Sequence, residues 1–168
     1  MSDLHALTAQ LRNERMEARI AAAEQLGQLG SAARSAACAL VNATADEQPV
    51  RDWAVTALEQ LGPPPADTVP ELATLANSGH ELIAYWAITL LGRLKIAATR
   101  AEQALVTALD TSAFASVRQR AAWALGSIGD YSASALEPLR RASRSADPRL
   151  ARLASQALQA RTRIRDGC

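Results

Sequence analysis

Histidine, cysteine and clustered carboxylates are the side chains best suited to chemistry, and this chain of 168 residues spends few of them: it holds two histidines and two cysteines. His80 and Glu81 are adjacent at the start of an expected helix. Such a pair can offer a metal two ligands, whereas protein metal sites need three or four. His5 is followed by Ala6, so no second pair completes a set. His80-Glu81 therefore reads as a polar helix start, with Glu81 favoured by the helix dipole. Cys38 is expected on the side of its helix opposite the core stripe, and Cys168 is terminal. Neither has a histidine base near it in sequence, so neither is expected to be a nucleophile. No Gly-rich phosphate loop, Cys-x-x-Cys pair or nucleophile elbow occurs. The expectation is a protein that is not an enzyme, with no catalytic residue, metal or cofactor.

What must then be positioned is a surface, and the elements that carry it are helical. Apolar residues make up 49% of the chain but aromatics only 4%. Alanine and leucine supply most of the rest, which favours close-packed helices because Ala has the best helix propensity. Two cysteines far apart cannot form a disulfide framework, and the opening Met1-Ser2-Asp3-Leu4-His5 lacks the basic and apolar regions of a secretory signal. A cytoplasmic location is expected. No apolar run approaches the roughly 18–20 residues that cross a bilayer, so no membrane partner is expected.

Self-similarity organises the chain. Glu17–Gly30, Pro49–Gly62, Leu82–Lys95 and Ser116–Gly129 align, with anchor leucines Leu26, Leu58, Leu91 and Leu125 and a fifth at Leu158. The steps are 32, 33, 34 and 33 residues. A second ladder, Leu7, Leu40, Leu72, Leu105 and Leu139, interleaves with it at the same period, so each unit holds two helices. In the second unit Val50, Ala54, Ala57, Leu58 and Leu61 form one stripe at helical spacing. Gly30, Gly62 and Gly129 follow the stripes as helix stops. Pro49, Pro70, Pro138 and Pro148 fall near helix starts, where a missing N–H costs little.

These features predict helices at 3–12, 14–29, 31–44, 48–61, 67–77, 80–95, 98–109, 114–128, 133–145 and 148–163. They make one repeat domain over 1–168. A capping helix at 3–12 precedes repeats at about 13–46, 47–78, 79–110, 111–145 and 146–163, and a short tail follows at 164–168. The fold class is all-α, an α-α superhelix, in which each pair relies on its neighbour to cover its apolar face. An elongated, curved rod is expected, with second helices lining a concave face.

The segment Val117-Arg118-Gln119-Arg120-Ala121-Ala122-Trp123-Ala124-Leu125-Gly126-Ser127-Ile128-Gly129-Asp130 resembles the first helix of HEAT repeats, in particular the short bacterial variety also found in phycobilisome-lyase proteins. Val69-Pro70-Glu71-Leu72 and Leu136-Glu137-Pro138-Leu139 resemble its second-helix openings. The resemblance covers roughly residues 3–160. It implies an internal ladder of a turn Asp and an Arg early in the next helix. The matching positions are Asp46 with Arg51 and Asp110 with Arg118. Arg19 keeps the Arg, with Glu14 or Glu17 nearby. The third repeat departs from the pattern, with Gly79 and Ala84, and the fifth shifts it, with Asp147 beside Arg149 and Arg152. Gly79-His80-Glu81-Leu82 is also similar to one His-Glu motif of deoxyhypusine hydroxylase, but that enzyme type needs several such pairs for its two metals.

Two surfaces then compete for a protein partner of unknown identity. The concave candidate is polar: Asn42, Thr74, Thr107 and Arg141 point opposite the second leucine ladder, and Ser35, Asp67, Arg100 and Ser134 lie on the same side. The convex candidate is aromatic. Trp53 and Trp86 share a repeat position at a rim of the buried stripe, where packing between repeats also accounts for them. Tyr85 and Trp123 project well away from the core. Burying an outward Trp against a partner contributes roughly 2–3 kcal/mol, and such a surface also suits a homo-oligomer. The resemblance leaves a further alternative open, an accessory subunit or chaperone of a bilin-lyase-like enzyme.

Nucleic acid is the remaining rival. Residues 1–70 hold 5 basic and 9 acidic side chains, 71–133 hold 5 and 5, and 134–168 hold 8 and 3. Arg140, Arg141, Arg144, Arg149, Arg152, Arg161, Arg163 and Arg165 thus make a basic C-terminal third. A net charge of +1, an acidic N-terminal half and the lack of aromatics among those arginines argue against it. Real phosphate contacts would weaken binding by about 0.9 log units per contact per log unit of salt. The expected result of a salt titration with duplex DNA is a flat, weak response; a steep slope would restore this reading.

Overall fold

The computed structural model describes residues 4–166, with side chains described through Arg161. Cys168, the start of the predicted helix at Asp3, and the side chains of Arg163 and Arg165 lie outside the described residues. Helices account for the regular structure, and no strand occurs among the described residues. Two compact units are formed, Met1–Thr68 and Val69–Cys168.

In the first unit α1 (Leu4–Gln10) packs on α2 (Met16–Leu29), which lies against α4 (Gln48–Gln60); α3 (Ala37–Ala43) covers α4. Leu7, Leu26, Leu40 and Leu58 are all buried, as are Val50, Ala54, Ala57 and Leu61 of the predicted stripe. Each fully buried Leu contributes about 1.5–3 kcal/mol relative to exposure.

In the second unit α5 (Val69–Leu75) packs on α6 (Glu81–Leu94), α6 on α8 (Ala115–Ile128), and α8 on α10 (Pro148–Asp166). The second-row helices α7 (Glu102–Thr111) and α9 (Leu136–Ser143) lie against α8 and α10 respectively. Leu72, Leu91, Leu105, Leu125 and Leu139 are fully buried. Leu158 is only half-buried; Ala154 and Ala157 take the inward positions of α10. That helix also runs on to Asp166, past the predicted end at 163.

Helix ends follow the predicted stops, with one exception of physical interest. Gly30, Gly62 and Gly129 adopt positive φ of 52°, 74° and 75°. Lys95 stands at the equivalent place in the third repeat and adopts φ 53°, a region that L side chains resist. After Gly30 and after Lys95 the chain forms seven-residue 3-10 turns, Gly30–Ala36 and Lys95–Ala101, where α-helix was predicted from 31 and 98. Buried alanines at every third position, Ala33 and Ala36, then Ala98 and Ala101, suit the tighter i,i+3 winding. The stretch Glu81–Thr111 reaches the length and mean hydropathy of a membrane span, more than the sequence reading anticipated. It is broken at Lys95, and half of its most apolar window is buried inside the fold.

Cys38 is buried, contrary to its expected outward placement, because α3 begins six residues later than predicted, after a 3-10 turn that changes the helical phase. The polar ladder is also rewired. Arg19 Nε and its terminal nitrogen hold both oxygens of Asp46, at 2.7 and 3.0 Å, and the Glu47 backbone N–H adds a third bond at 2.7 Å. Both oxygens of Asp46 are therefore engaged, and Arg51 reaches only its backbone carbonyl, at 2.9 Å. Arg19 also donates to the carbonyls of Asn13 and Glu14, and its ion pair to a glutamate is with Glu47, at 3.6 Å, rather than with Glu14 or Glu17. Asp110 lies inside α7 rather than in a turn, so it projects toward α9 and pairs with Arg141 at 2.8 Å, while Arg118 donates to the Ser112 carbonyl. Asp147 accepts from Gln119 at 2.8 Å and caps α10 through the N–H groups of Arg149 and Leu150; neither Arg149 nor Arg152 pairs with it.

Replacing Lys95 by Gly should raise stability by about 1 kcal/mol, since glycine removes the Cβ conflict at positive φ; an unchanged urea midpoint would refute the strain. The Gln119 hydrogen bond, helped by the α10 amides, lowers the Asp147 pKa below the ordinary 3.8. Its stabilising effect is thus present above the unfolded-state value and is lost as pH falls through the lower folded value. The stability gap between wild type and Asp147→Asn should therefore close on acidification below about pH 4, which denaturant melts at stepped pH would measure.

Candidate functional site

A groove of about 330 Å³ opens on the first-helix side of the second unit, lined by Tyr85 of α6, Ser116, Gln119, Arg120 and Trp123 of α8, and Arg149 and Leu153 of α10. It continues along α8 and α10 past Gly126, Ser127, Gln156 and Ala160. Helix spacing explains the gathering. Arg120 and Trp123 are three residues apart on one face of α8, and Arg149, Leu153, Gln156 and Ala160 follow at steps of four, three and four along one face of α10. Close approach of the two helices is permitted by Gly126, where a Cβ would come within 3.1 Å of the Ala157 backbone.

At the centre stands Arg120. Its guanidinium carbon lies 4.4 Å from the Tyr85 ring centroid and 5.1 Å from that of Trp123, and it donates a hydrogen bond to the Tyr85 hydroxyl. The benzo edge of Trp123 rests on Gly92 of α6, so closely that an added methyl would meet ring atoms Cη2 and Cε3 at 2.8 and 2.9 Å. Trp123 is accordingly half-buried rather than outward, its ring supported by Gly92 and covered by Arg120. Tyr85 is likewise half-buried, meeting Trp86 edge-on at 5.8 Å. Trp86 is 7% exposed and belongs to the core, with Arg93 over its ring. Trp53, in the first unit, keeps 37% exposure. The four predicted aromatics thus divide: Tyr85 and Trp123 share the groove, Trp86 belongs to the core, and Trp53 stays exposed in the first unit.

The carboxylates nearest the groove are already engaged. Glu81 accepts from the Ser116 hydroxyl, and Asp147 from Gln119. Arg120 and Arg149 have no ion pair among the described residues.

The predicted polar strip is occupied with its own helices. Asn42 donates to the Cys38 carbonyl, Thr74 to Pro70 and Thr107 to Gln103, each one turn back. Arg141 is held by Asp110, and Arg100 is exposed. Ser134, with Ser132, ties to Glu102. Burial pushes the Glu102 carboxyl up, but those hydrogen bonds and the Arg161 charge outweigh it and lower the pKa below 4.5. This cluster holds the turn after α8, where Tyr131 is buried and donates to the Ala157 carbonyl. In the basic third, Arg161 donates to the Tyr131 carbonyl and covers its ring, and Arg140 approaches Glu137 at 3.6 Å. No group of three or more His, Cys, Asp or Glu residues is placed to hold a metal among the described residues.

Sequence reading named Tyr85 and Trp123, placed Arg149 only in the basic C-terminal third, and missed Arg120, Gln119 and Leu153 as site residues. The signal was available: Arg120 precedes Trp123 by one turn, and Gln119 repeats the Tyr85 position one period on.

A model of HEAT repeats matches residues 69–159. No curated protein matches the chain. Among solved structures it is similar to the complex of CpcE and CpcF of phycocyanin lyase from Nostoc sp. PCC7120, with TM-score 0.67 and 22% identity over 97% of this chain and 66% of that one. A designed armadillo repeat protein in complex with the peptide (KR)4 superposes with TM-score 0.65 and 19% identity, covering 94% and 81%. An engineered protein gives 0.62 and 22%, covering 95% and 79%. At these identities the likeness establishes the fold, an all-α helical-repeat solenoid. The HEAT-repeat match takes in more than half of the residues, and on that ground the chain belongs to the HEAT-repeat family.

Proposed function

We propose that this protein is a non-catalytic scaffold that binds another protein through the first-helix groove of its second unit. One observation carries the reading: a half-buried Trp and Tyr, bridged by an arginine, line a groove with Leu153 beside them. Aromatic and arginine side chains held rigidly in a partly desolvated pocket are the usual anchors of protein interfaces, since little rotamer freedom remains to be lost on binding. The polar strip of second helices is the weaker candidate, because its hydroxyl and amide groups already satisfy neighbouring carbonyls. Repeat-protein neighbours that hold a second subunit or a peptide support a protein ligand.

Affinity capture from the native cell with wild type, Trp123→Ala and Arg34→Ala baits tests the proposal. Arg34 is exposed on the first unit, away from any groove residue in sequence. One protein should be retained by wild type and Arg34→Ala and depleted about tenfold by Trp123→Ala, with circular dichroism confirming that each bait is folded. Equal recovery on all three baits removes the groove as the binding surface.

A further inference from the structure

We infer that the groove is a carboxylate receptor, and that its occupant is an acidic helical segment of a partner protein carrying an apolar side chain one turn from the acid. The inference rests on the reading of the groove as a protein-binding surface and adds the chemistry of what enters it.

Arg120 anchors the groove. Two ring contacts and one hydroxyl bond fix the plane of its guanidinium, yet a guanidinium has five N–H donors, and only the bond to Tyr85 is seen here. A planar fork already held in place loses little entropy when it binds a carboxylate through two parallel hydrogen bonds. Arg149 lines the same groove, so two cations share it without a carboxylate in its lining. The acids at its margin do not supply one. Glu81 is bonded to Ser116, while Asp147 accepts from Gln119 and two backbone amides. Both acids stay charged, but neither forms an ion pair with Arg120 or Arg149 among the described residues, so the N–H donors of the two arginines are left for a carboxylate from outside.

The remaining walls specify what accompanies the charge. Leu153 and Ala160 of α10 and the Trp123 ring provide an apolar strip running along the helix from Arg149. A helical segment with Glu or Asp at one position and Leu or a similar residue four on would set the carboxylate between the arginines and the apolar group on that strip. A nucleic acid fits less well. Base stacking needs a free aromatic face, whereas Arg120 already lies over the Trp123 ring.

The test uses the full chain and an acetylated, amidated Ala-based helical peptide with three Glu–Leu pairs spaced i, i+4. Control peptides carry Gln or Lys in place of Glu. Binding is read by calorimetry and by Trp fluorescence at low salt. The Glu peptide should bind, with affinity at least tenfold above the Gln peptide and none measurable for the Lys peptide. Arg149→Ala and Arg120→Gln should each cost at least tenfold, and Arg34→Ala should cost nothing. Arg120→Gln keeps a donor for Tyr85, and Arg149 is exposed, so a folded variant is available on either arm. Equal binding of the Glu and Gln peptides overturns the inference, as does indifference to both arginine changes. Two further results overturn it: oligo-dT binding more tightly than the Glu peptide, or concentration-dependent self-association, in sedimentation, that Arg120→Gln abolishes. If the charge arms fail while Trp123→Ala still loses its captured protein, only the carboxylate chemistry falls and the protein-binding groove stands.

Discussion

A pair of short helices creates more apolar surface than it can cover, and every other feature of this protein follows from that shortfall. Except for half-buried Leu158, the ladder leucines are inward on both helices of a pair, so each pair has an open side that only the next pair closes. Closure demands close approach, and close approach demands small side chains. Gly27 meets Ala57 at 3.6 Å and Gly126 meets Ala157 at 3.1 Å, measured from the position a Cβ would take. These contacts explain a composition that is rich in alanine and poor in aromatics better than helix propensity alone does.

The same constraint, met differently once, produces the candidate site. Where Gly27 and Gly126 face an alanine, Gly92 faces the ring of Trp123. A ring in that seam cannot be buried wholly, and its upper side is covered by Arg120 instead of by another helix. The groove is thus a packing solution with an exposed half. Its open donors have an equally local origin: the carboxylates nearby are held by a helix cap and a serine, and neither pairs directly with Arg120 or Arg149.

Polar satisfaction at the turns shows how far pattern reading can go. That an Arg early in a first helix and an Asp in a turn belong to one system is legible from their types and spacing. Which partner each selects is not. Asp46 has room for one bidentate guanidinium, and Arg19 of the preceding repeat takes it, which leaves Arg51 a carbonyl. The repeat pattern places Asp110 in a turn, but α7 extends to Thr111 and carries it outward to Arg141. Competition for lone pairs and the last residue of a helix are three-dimensional facts.

The amino-acid order alone determined the helical period, the two interleaved leucine ladders, the proline starts and the glycine stops. Each of these depends on spacing along a helix of known pitch or on the steric limits of one residue, so each is written locally. Folding decided the rest: that Cys38 and Trp86 are interior, that Lys95 takes a glycine's backbone, that Trp123 lies on Gly92 and that Arg120 is held between two rings. Those outcomes depend on which side chains from separate repeats compete for one volume or one hydrogen bond, and a helical projection of a single segment holds no information about its neighbours.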